Sequence, residues 1–535
     1  MLNNKYVVKA FWFLIIIIPF LIGFKQYPLF ILGTDLSYLP GDYGDARFIN
    51  YVLEHGYQYI IGNRDSFYNA PFFYPASNVI AYSDNMIGNL PIYAIFRFLN
   101  FSREESLQLW WLALFALNYF ISFLCFYKYS NNIFASVVVS YLFTFGIINL
   151  SQLNYLQINA KFMLPVIFVS YLLWLIKADL KYFYWFAAAV FVQLILGIYY
   201  TTFVVLFISV ITLVYILLNR TFTPFKQLFN IKKNKTPLIL ITIIAALSIL
   251  YMLPYIEVAK EGGVKKYANV ENLVPKFQSL ISAHPATIWR HVIGFGDRYF
   301  PDSFWLHQYC PGIFPFIVLL SILVLIIIRS KFILSWEMKI TLFSFLILLL
   351  ISVRWNDHFS PLQLFYKIKL MGAITFVSRI LLVLDVIFLL MALNLISRML
   401  QSEKKYVNFG IFSVLLVAVI LDNYFDDSNL VRIEKQKVIA RYQKLDEVIP
   451  KEDLKRKKIM AIVQENVNKP DRSFMLDAMM YSQSHNISCV NGYSSGAPTN
   501  MHFFISNPAR KQLKNWCSSR GVDTSVVIIV DAPLF

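Results

Sequence analysis

The chain has 535 residues, of which 58% are hydrophobic and only 15% charged, and a mean hydropathy of +0.57; soluble domains carry about 25% charged residues, so water alone is excluded as its solvent. A formal charge of +17 raises nucleic acid as a partner, but the basic residues cluster in short loops between apolar runs and form no stripe interleaved with aromatics, which sets nucleic acid aside. The four cysteines show no CxxC spacing and point to no zinc site; Cys489 and Cys517 are open either to pairing in an oxidising compartment or to burial as thiols.

The first apolar run, Tyr6 to Phe24, is longer than the ~7–15 residues of a signal-peptide core and is followed by no small-x-small cleavage site, so it reads as a retained anchor. Lys5 and Lys9 at its start place the N-terminus in the cytoplasm. Alternate loops then carry Lys128; Lys177 and Lys181; Arg220, Lys226, Lys232, Lys233 and Lys235; Arg329, Lys331 and Lys339; and Arg398, Lys404 and Lys405, all on that same side. Spans near residues 8–27, 108–126, 132–150, 159–176, 182–198, 199–218, 237–256, 312–328, 338–352, 374–397 and 406–422 make about eleven transmembrane helices and leave the C-terminus outside. The fold expected is therefore an all-α polytopic membrane protein, residues 1–423, with outside loops 28–107 and 257–311, followed by a small non-cytoplasmic α/β domain over 424–535.

Within the first outside loop, Asp45 to Tyr57 and Met86 to Leu99 have helical patterning between turn-rich stretches such as Asn69-Ala70-Pro71, and fit short amphipathic helices on the membrane surface. In the tail, a charged helical stretch from Ile433 to Lys458 precedes strand-like runs Ile459 to Val463 and Val526 to Val530. Gly197, inside Gln193 to Tyr200, marks a helix break that shapes a cavity wall.

The densest polar cluster runs from Pro40 to His55. Asp42 and Asp45 lie three residues apart at a helix start: Asp42 caps the helix while Asp45 favours its dipole, or one is a general base or metal ligand that the other positions, with Asp45 the first choice. Arg47 and Glu54 pair with these or with each other. Tyr74 and Tyr82 suit an interfacial aromatic belt, and Asp84 either caps the next helical patch or meets a sugar hydroxyl. Arg379, an ionisable group placed within an apolar span, is a functional-site candidate whose guanidinium suits a lipid phosphate. An ion pair with Asp385 is the alternative, although the i, i+6 spacing puts the two on different helix faces. Lys161 is a weaker candidate of the same kind, or it snorkels. His284, His291, Asp297, Arg298, His307 and Gln308 crowd the second outside loop without a metal-ligand spacing.

Gly41 to Arg47 reads GDxGDxR and is followed by Glu54-His55, Phe72-Phe73-Tyr74-Pro75, Ala81 to Asn85, and Ser151 to Gln157; farther on come Pro311-Gly312, Lys369 to Arg379, Asp477 to Met480 and Asn491 to Ser494. Over nearly its whole length this pattern resembles the GT-C class of polyprenyl-phosphate-sugar-dependent glycosyltransferases, within a bacterial group of multi-pass membrane proteins. It departs at Asn154, where histidine is familiar, and at Leu370 to Ile374, where a proline and a first arginine are absent. The resemblance implies a polyprenyl-phosphate-linked sugar donor, an envelope glycan, lipid or protein as acceptor, a bacterial inner-membrane location with the C-terminus periplasmic or extracellular, and a divalent cation (Mg or Mn) or none. The candidate site is then Asp45 and Asp42 as catalytic carboxylates, with Arg47, Glu54, Tyr74, Asp84, Lys161 and Arg379 as substrate contacts. Two other classes stand beside it. A lipid-linked saccharide transporter or flippase predicts inverted repeats and charges at mid-bilayer, neither of which is evident; a non-enzymatic assembly protein predicts indifference to loss of a lone carboxylate.

Overall fold

A computed structural model describes residues 5–229, 235–262, 266–292, 304–330, 335–356, 359–367, 372, 374–465, 472–501, 504 and 508–532. Among them seven helices are long and apolar enough to cross a membrane: Lys9–Leu32, Arg103–Ser130, Ile133–Gln152, Ile198–Asn219, Thr236–Lys260, Val377–Met399 and Lys405–Asp422. Hydrocarbon offers no partner to a free N–H or C=O, so such runs close their hydrogen bonds internally as helices. The shorter helices Met163–Lys177, Leu180–Leu196 and Phe314–Ile327 are apolar as well, and Trp336–Ser352 packs beside Val377–Met399.

Burial orders these helices. The windows of Val377–Met399 and Ile133–Gln152 are 89% buried and form the centre, whereas none of the Thr236–Lys260 window is buried. That helix turns Ile239, Ile243, Ile249 and Leu250 outward, an arrangement that water would penalise and lipid tails would not.

Several boundaries differ from the sequence expectation for local reasons. The second span begins at Arg103 rather than near 108, because Ser102 and Glu105 close a capping box: the Glu105 N–H donates to Ser102 Oγ (3.3 Å) and the Ser102 N–H to the Glu105 carboxylate (2.9 Å). The Met86 to Leu99 patch is helical only over Leu90–Phe98, where Pro91 pre-sets the first turn. Ile433 to Lys458 is not one helix. It opens with the strand Arg432–Glu434, continues as Lys435–Val448, and restarts as Lys451–Arg456 after Pro450, which cannot supply an interior N–H. The span expected over 374–397 becomes regular α-helix only at Ile380, so Arg379 sits in its lead-in turn.

The tail carries a three-stranded parallel sheet in the order Ser488–Cys489, Ile459–Val463, Val527–Asp531. The tail is joined to the segment 28–107. Tyr38–Pro40 pairs antiparallel with Arg432–Glu434, the Tyr74 N–H donates to the Cys489 carbonyl (3.0 Å), and the Phe73 N–H to that of Asn491 (3.1 Å). The Ser473–Ser484 helix belongs to both: Leu476, Met479 and Met480, at i, i+3 and i+4, enter the core of the helical bundle, while Phe474, Met475, Ala478 and Tyr481 enter that of the sheet. Cys489 and Cys517 are buried free thiols in two different packing clusters.

The Pro311-Gly312 turn shows how one helix end starts another. Asp422, last residue of the Lys405–Asp422 helix, accepts the N–H groups of Ile313 (2.7 Å) and Phe314 (3.0 Å) at the start of Phe314–Ile327. Gly312 has φ +91°, and a Cβ there would lie 2.2 Å from Asp422 Oδ2. Gly312→Ala is expected to lose more than ~1 kcal/mol, read as a lower thermal midpoint of the detergent-solubilised protein; an unchanged midpoint would contradict this placement.

Candidate active site

The acidic loop is drawn tight before its helix begins. Gly41, at φ +82°, packs where a Cβ would meet Ala46 Cβ at 2.8 Å and the Leu153 carbonyl at 2.9 Å. Asp42 then turns back on the chain: its Oδ1 accepts the Gly44 N–H (3.0 Å), and the amides of Asp45 and Ala46 also face its carboxylate. This is the capping role, shifted by two residues, since Gly44 is the N-cap and Asp45 the first residue of the Asp45–Ile60 helix. Burial raises the Asp42 pKa while these amides hold it down.

Asp45 is free of that duty and lines a cavity of about 620 Å³. Its Oδ1 accepts the Tyr493 hydroxyl at 3.1 Å, a bond from the tail. Burial pushes the Asp45 carboxyl up to about 6, the neighbouring charge of Asp42 adds to this, and Tyr493 and Arg379 pull the other way. The same cavity takes in Asp84 and Arg379. Asp84 accepts from the Gln157 side chain and from the Ile198 N–H, the first amide of the Ile198–Asn219 helix after the break at Gly197, where the helix dipole favours an anion. Burial raises the Asp84 pKa and the field of Arg379 lowers it.

Arg379 is 2% exposed and lies against three rings, its Cζ 4.2 Å from the Tyr155 centroid and 4.7 Å from those of Tyr199 and Phe376. Such faces compensate a desolvated guanidinium by up to ~2 kcal/mol. Its Nε donates to Gln152 Oε1 (3.2 Å), and a chain of bonds from Gln152 through the Tyr309 hydroxyl to Ser378 holds that amide in place. Its Nη2 has no hydrogen-bond partner among the described residues. A buried guanidinium nitrogen left open calls for an acceptor. No ion pair joins Arg379 to Asp385 among the described residues; the charge that acts on Asp385 is that of Lys161.

The remaining sequence candidates lie elsewhere. Arg47 lies outside that cavity: it is 1% exposed and its Nη2 pairs with Asp477 Oδ1 at 2.5 Å. Glu54 pairs with Arg97 (2.8 Å) and accepts the Tyr93 hydroxyl (2.8 Å). Tyr74 contributes backbone only, its carbonyl accepting from Trp516 Nε1 (3.1 Å). Lys161 neither reaches the cavity nor snorkels; 3% exposed, it donates to the Phe143 carbonyl (2.7 Å) and Asn149 Oδ1 (2.8 Å). Of the histidines, His284 is buried against the Ala286 amide and His307 against Ser279 and the Asn272 carbonyl, while Asp297 and Arg298 lie outside the described residues.

Sequence reasoning gave no role to Tyr155, Tyr199, Phe376 or Tyr493. The stretch Ser151 to Gln157 did carry a signal: Gln152 holds Arg379, Tyr155 lies beneath it and Gln157 bonds Asp84. Where the pattern departs, Asn154 Oδ1 is buried without a partner among the described residues. Asp45 and Asp84 both line the cavity while Asp42 is held on amides, and among the described residues no group of three or more His, Cys, Asp or Glu is placed to hold a metal.

Apolar side chains line the same cavity. Met252, Val258 and Ala259 come from the outward-facing Thr236–Lys260 helix, and Ile198 and Ile374 join them, so one cavity offers two carboxylates and a cation together with hydrocarbon. No protein-family model matches the chain, and no curated protein matches it significantly.

Proposed function

We propose that this protein is a GT-C-type glycosyltransferase of the bacterial inner membrane, transferring a sugar from a polyprenyl-phosphate donor to a glycan, lipid or protein acceptor on the non-cytoplasmic face. What carries the reading is one observation: Asp45, Asp84 and Arg379, from three distant segments, converge in a cavity that apolar side chains also line. A lipid-linked donor needs that combination, because its tail stays in hydrocarbon while its phosphate needs a cation. In this reading about eleven helices span the bilayer, with the N-terminus cytoplasmic and the tail outside.

Asp45 removes the proton of the acceptor hydroxyl as the oxygen attacks the anomeric carbon. The bond from that carbon to the phosphate oxygen breaks, polyprenyl phosphate leaves with the electron pair, and the anomeric centre inverts. Arg379 receives the developing phosphate charge through its open Nη2. Asp84 orients a sugar hydroxyl, and Tyr493 is a positioning residue that holds Asp45.

Arg379→Ala is expected to raise the apparent KM for the lipid donor by about tenfold or more, the usual worth of a charged hydrogen bond, with Arg379→Lys recovering part of the loss. The measurement is donor-dependence of transfer in proteoliposomes. Unchanged donor kinetics would return Arg379 to a purely structural role. Comparison of envelope glycans with and without the protein would identify donor sugar and acceptor together, and an unaltered glycan profile would count against transfer.

A further inference from the structure

A second cleft, of about 790 Å³, lies along the same helix that begins at Asp45. It is lined by Glu54, Arg64, Arg97, Arg103 and Glu104 together with Tyr442 and Gln483 of the tail, and the exposed residues Gly62 and Asn63 also border it. Glu54 is nine residues beyond Asp45, about 14 Å along the helix axis, so the two cavities are separate sites on one rigid element.

The charges in the cleft do not cancel. Arg97 meets both oxygens of Glu54 (2.8 and 3.1 Å), and Arg103 bonds Glu104 (3.0 Å) while stacking on the Tyr442 ring. This leaves Arg64 as the excess cation. It forms no salt bridge among the described residues: its Nη2 donates to the Gln483 carbonyl (3.1 Å) and its Nε, buried, has no hydrogen-bond partner. Gln483 is only 6% exposed; its Nε2 donates to the Tyr51 carbonyl (3.0 Å) and its Oε1 has no donor. An apolar occupant would leave both atoms unsatisfied. An occupant with one negative charge and adjacent hydroxyls satisfies both, and the amide and carboxylate wall with a single aromatic ring is of the composition that holds polyhydroxylated ligands.

We propose that this cleft binds an anionic saccharide, a sugar bearing one carboxylate or phosphate, with the anion on Arg64 and a hydroxyl donating to Gln483 Oε1. The inference rests on the cleft itself and holds whether or not the cavity at Asp45 transfers sugar.

Saturation-transfer NMR of the full chain in detergent, titrated with D-glucuronate, glucose 6-phosphate and glucose, tests it. At least one anionic sugar is expected to bind about tenfold or more tightly than glucose, and the better of the two identifies the anion as carboxylate or phosphate. Arg64→Gln should remove that preference, Arg64→Lys should keep part of it, and Asp45→Asn should leave it intact. Equal affinity for glucose, no binding of either anion, or an Arg64→Gln protein that retains the preference would overturn the proposal. Loss of binding in Asp45→Asn would overturn it too, by placing the ligand in the other cavity. Should Arg64→Gln fail to fold, the comparison of anionic with neutral sugar on the unsubstituted protein still decides.

Discussion

Asp45→Asn is expected to reduce sugar transfer by about 10²- to 10⁴-fold, the ordinary worth of a positioned general base, while leaving the protein inserted and its thermal midpoint close to that of the parent. The amide keeps the shape and the acceptor for the Tyr493 hydroxyl but cannot take a proton. Because burial has pushed the Asp45 carboxyl up to about 6, and because the base must be ionised, kcat/KM should rise with pH through that value and level off above it. Tyr493→Phe gives a sharper test. The Tyr493 hydroxyl stabilises the carboxylate, so its loss should move the acid limb to higher pH, a shift that a merely structural tyrosine would not produce. A flat profile across pH 5 to 8, or Asp45→Asn at full activity, would remove Asp45 from the chemistry and favour the transporter or assembly readings.

Asp477→Ala is expected to destabilise the protein by about 3–5 kcal/mol, the cost of leaving a buried ion without its partner. Asp477 lies between two arginines, with Arg47 at 2.5 Å and Arg441 at 2.7 Å, and both Arg47 and Asp477 have side chains only 1% exposed. Its removal strands the Arg47 charge at the seam between the Asp45–Ile60 helix and the tail. Thermal unfolding and limited proteolysis of the solubilised protein should both register the change, with cleavage appearing first in the tail. Replacing the charges together, as Arg47→Met with Asp477→Leu, should recover much of the loss, since apolar residues of similar volume often equal a buried pair. No recovery would mean that Arg47 contributes through the Met480 sulfur and the Tyr43 carbonyl it also faces.

The acidic loop shows where reading along the chain stops. Asp45, Arg47 and Glu54 look like one cluster in sequence. At 100° per residue, however, Arg47 points about 200° away from Asp45, and Glu54, nine residues on, about 180° away. One helix therefore sends Asp45 into the cavity, Arg47 into the tail and Glu54 into the second cleft. Period alone could have separated Asp45 from the other two, which lie about 20° apart on one face; what each would meet could not be read without the fold. Lys161 makes the same point, since its position at a span's outer start suited a lipid contact but its amine is satisfied by a carbonyl of another segment.

By itself the sequence determined that this is a membrane protein, roughly where its helices run, and that a small α/β segment follows them, because hydrophobic runs, basic loops and caps act over a few residues and need no distant partner. It also singled out Asp45, Asp84 and Arg379. Only the tertiary structure decided which of the neighbouring charges share a cavity and which are locked in ion pairs. Those choices depend on Tyr493, 448 residues from Asp45, and on Gln152, 227 residues from Arg379, and contacts at such separations are set by the packing of whole helices, which no local pattern encodes.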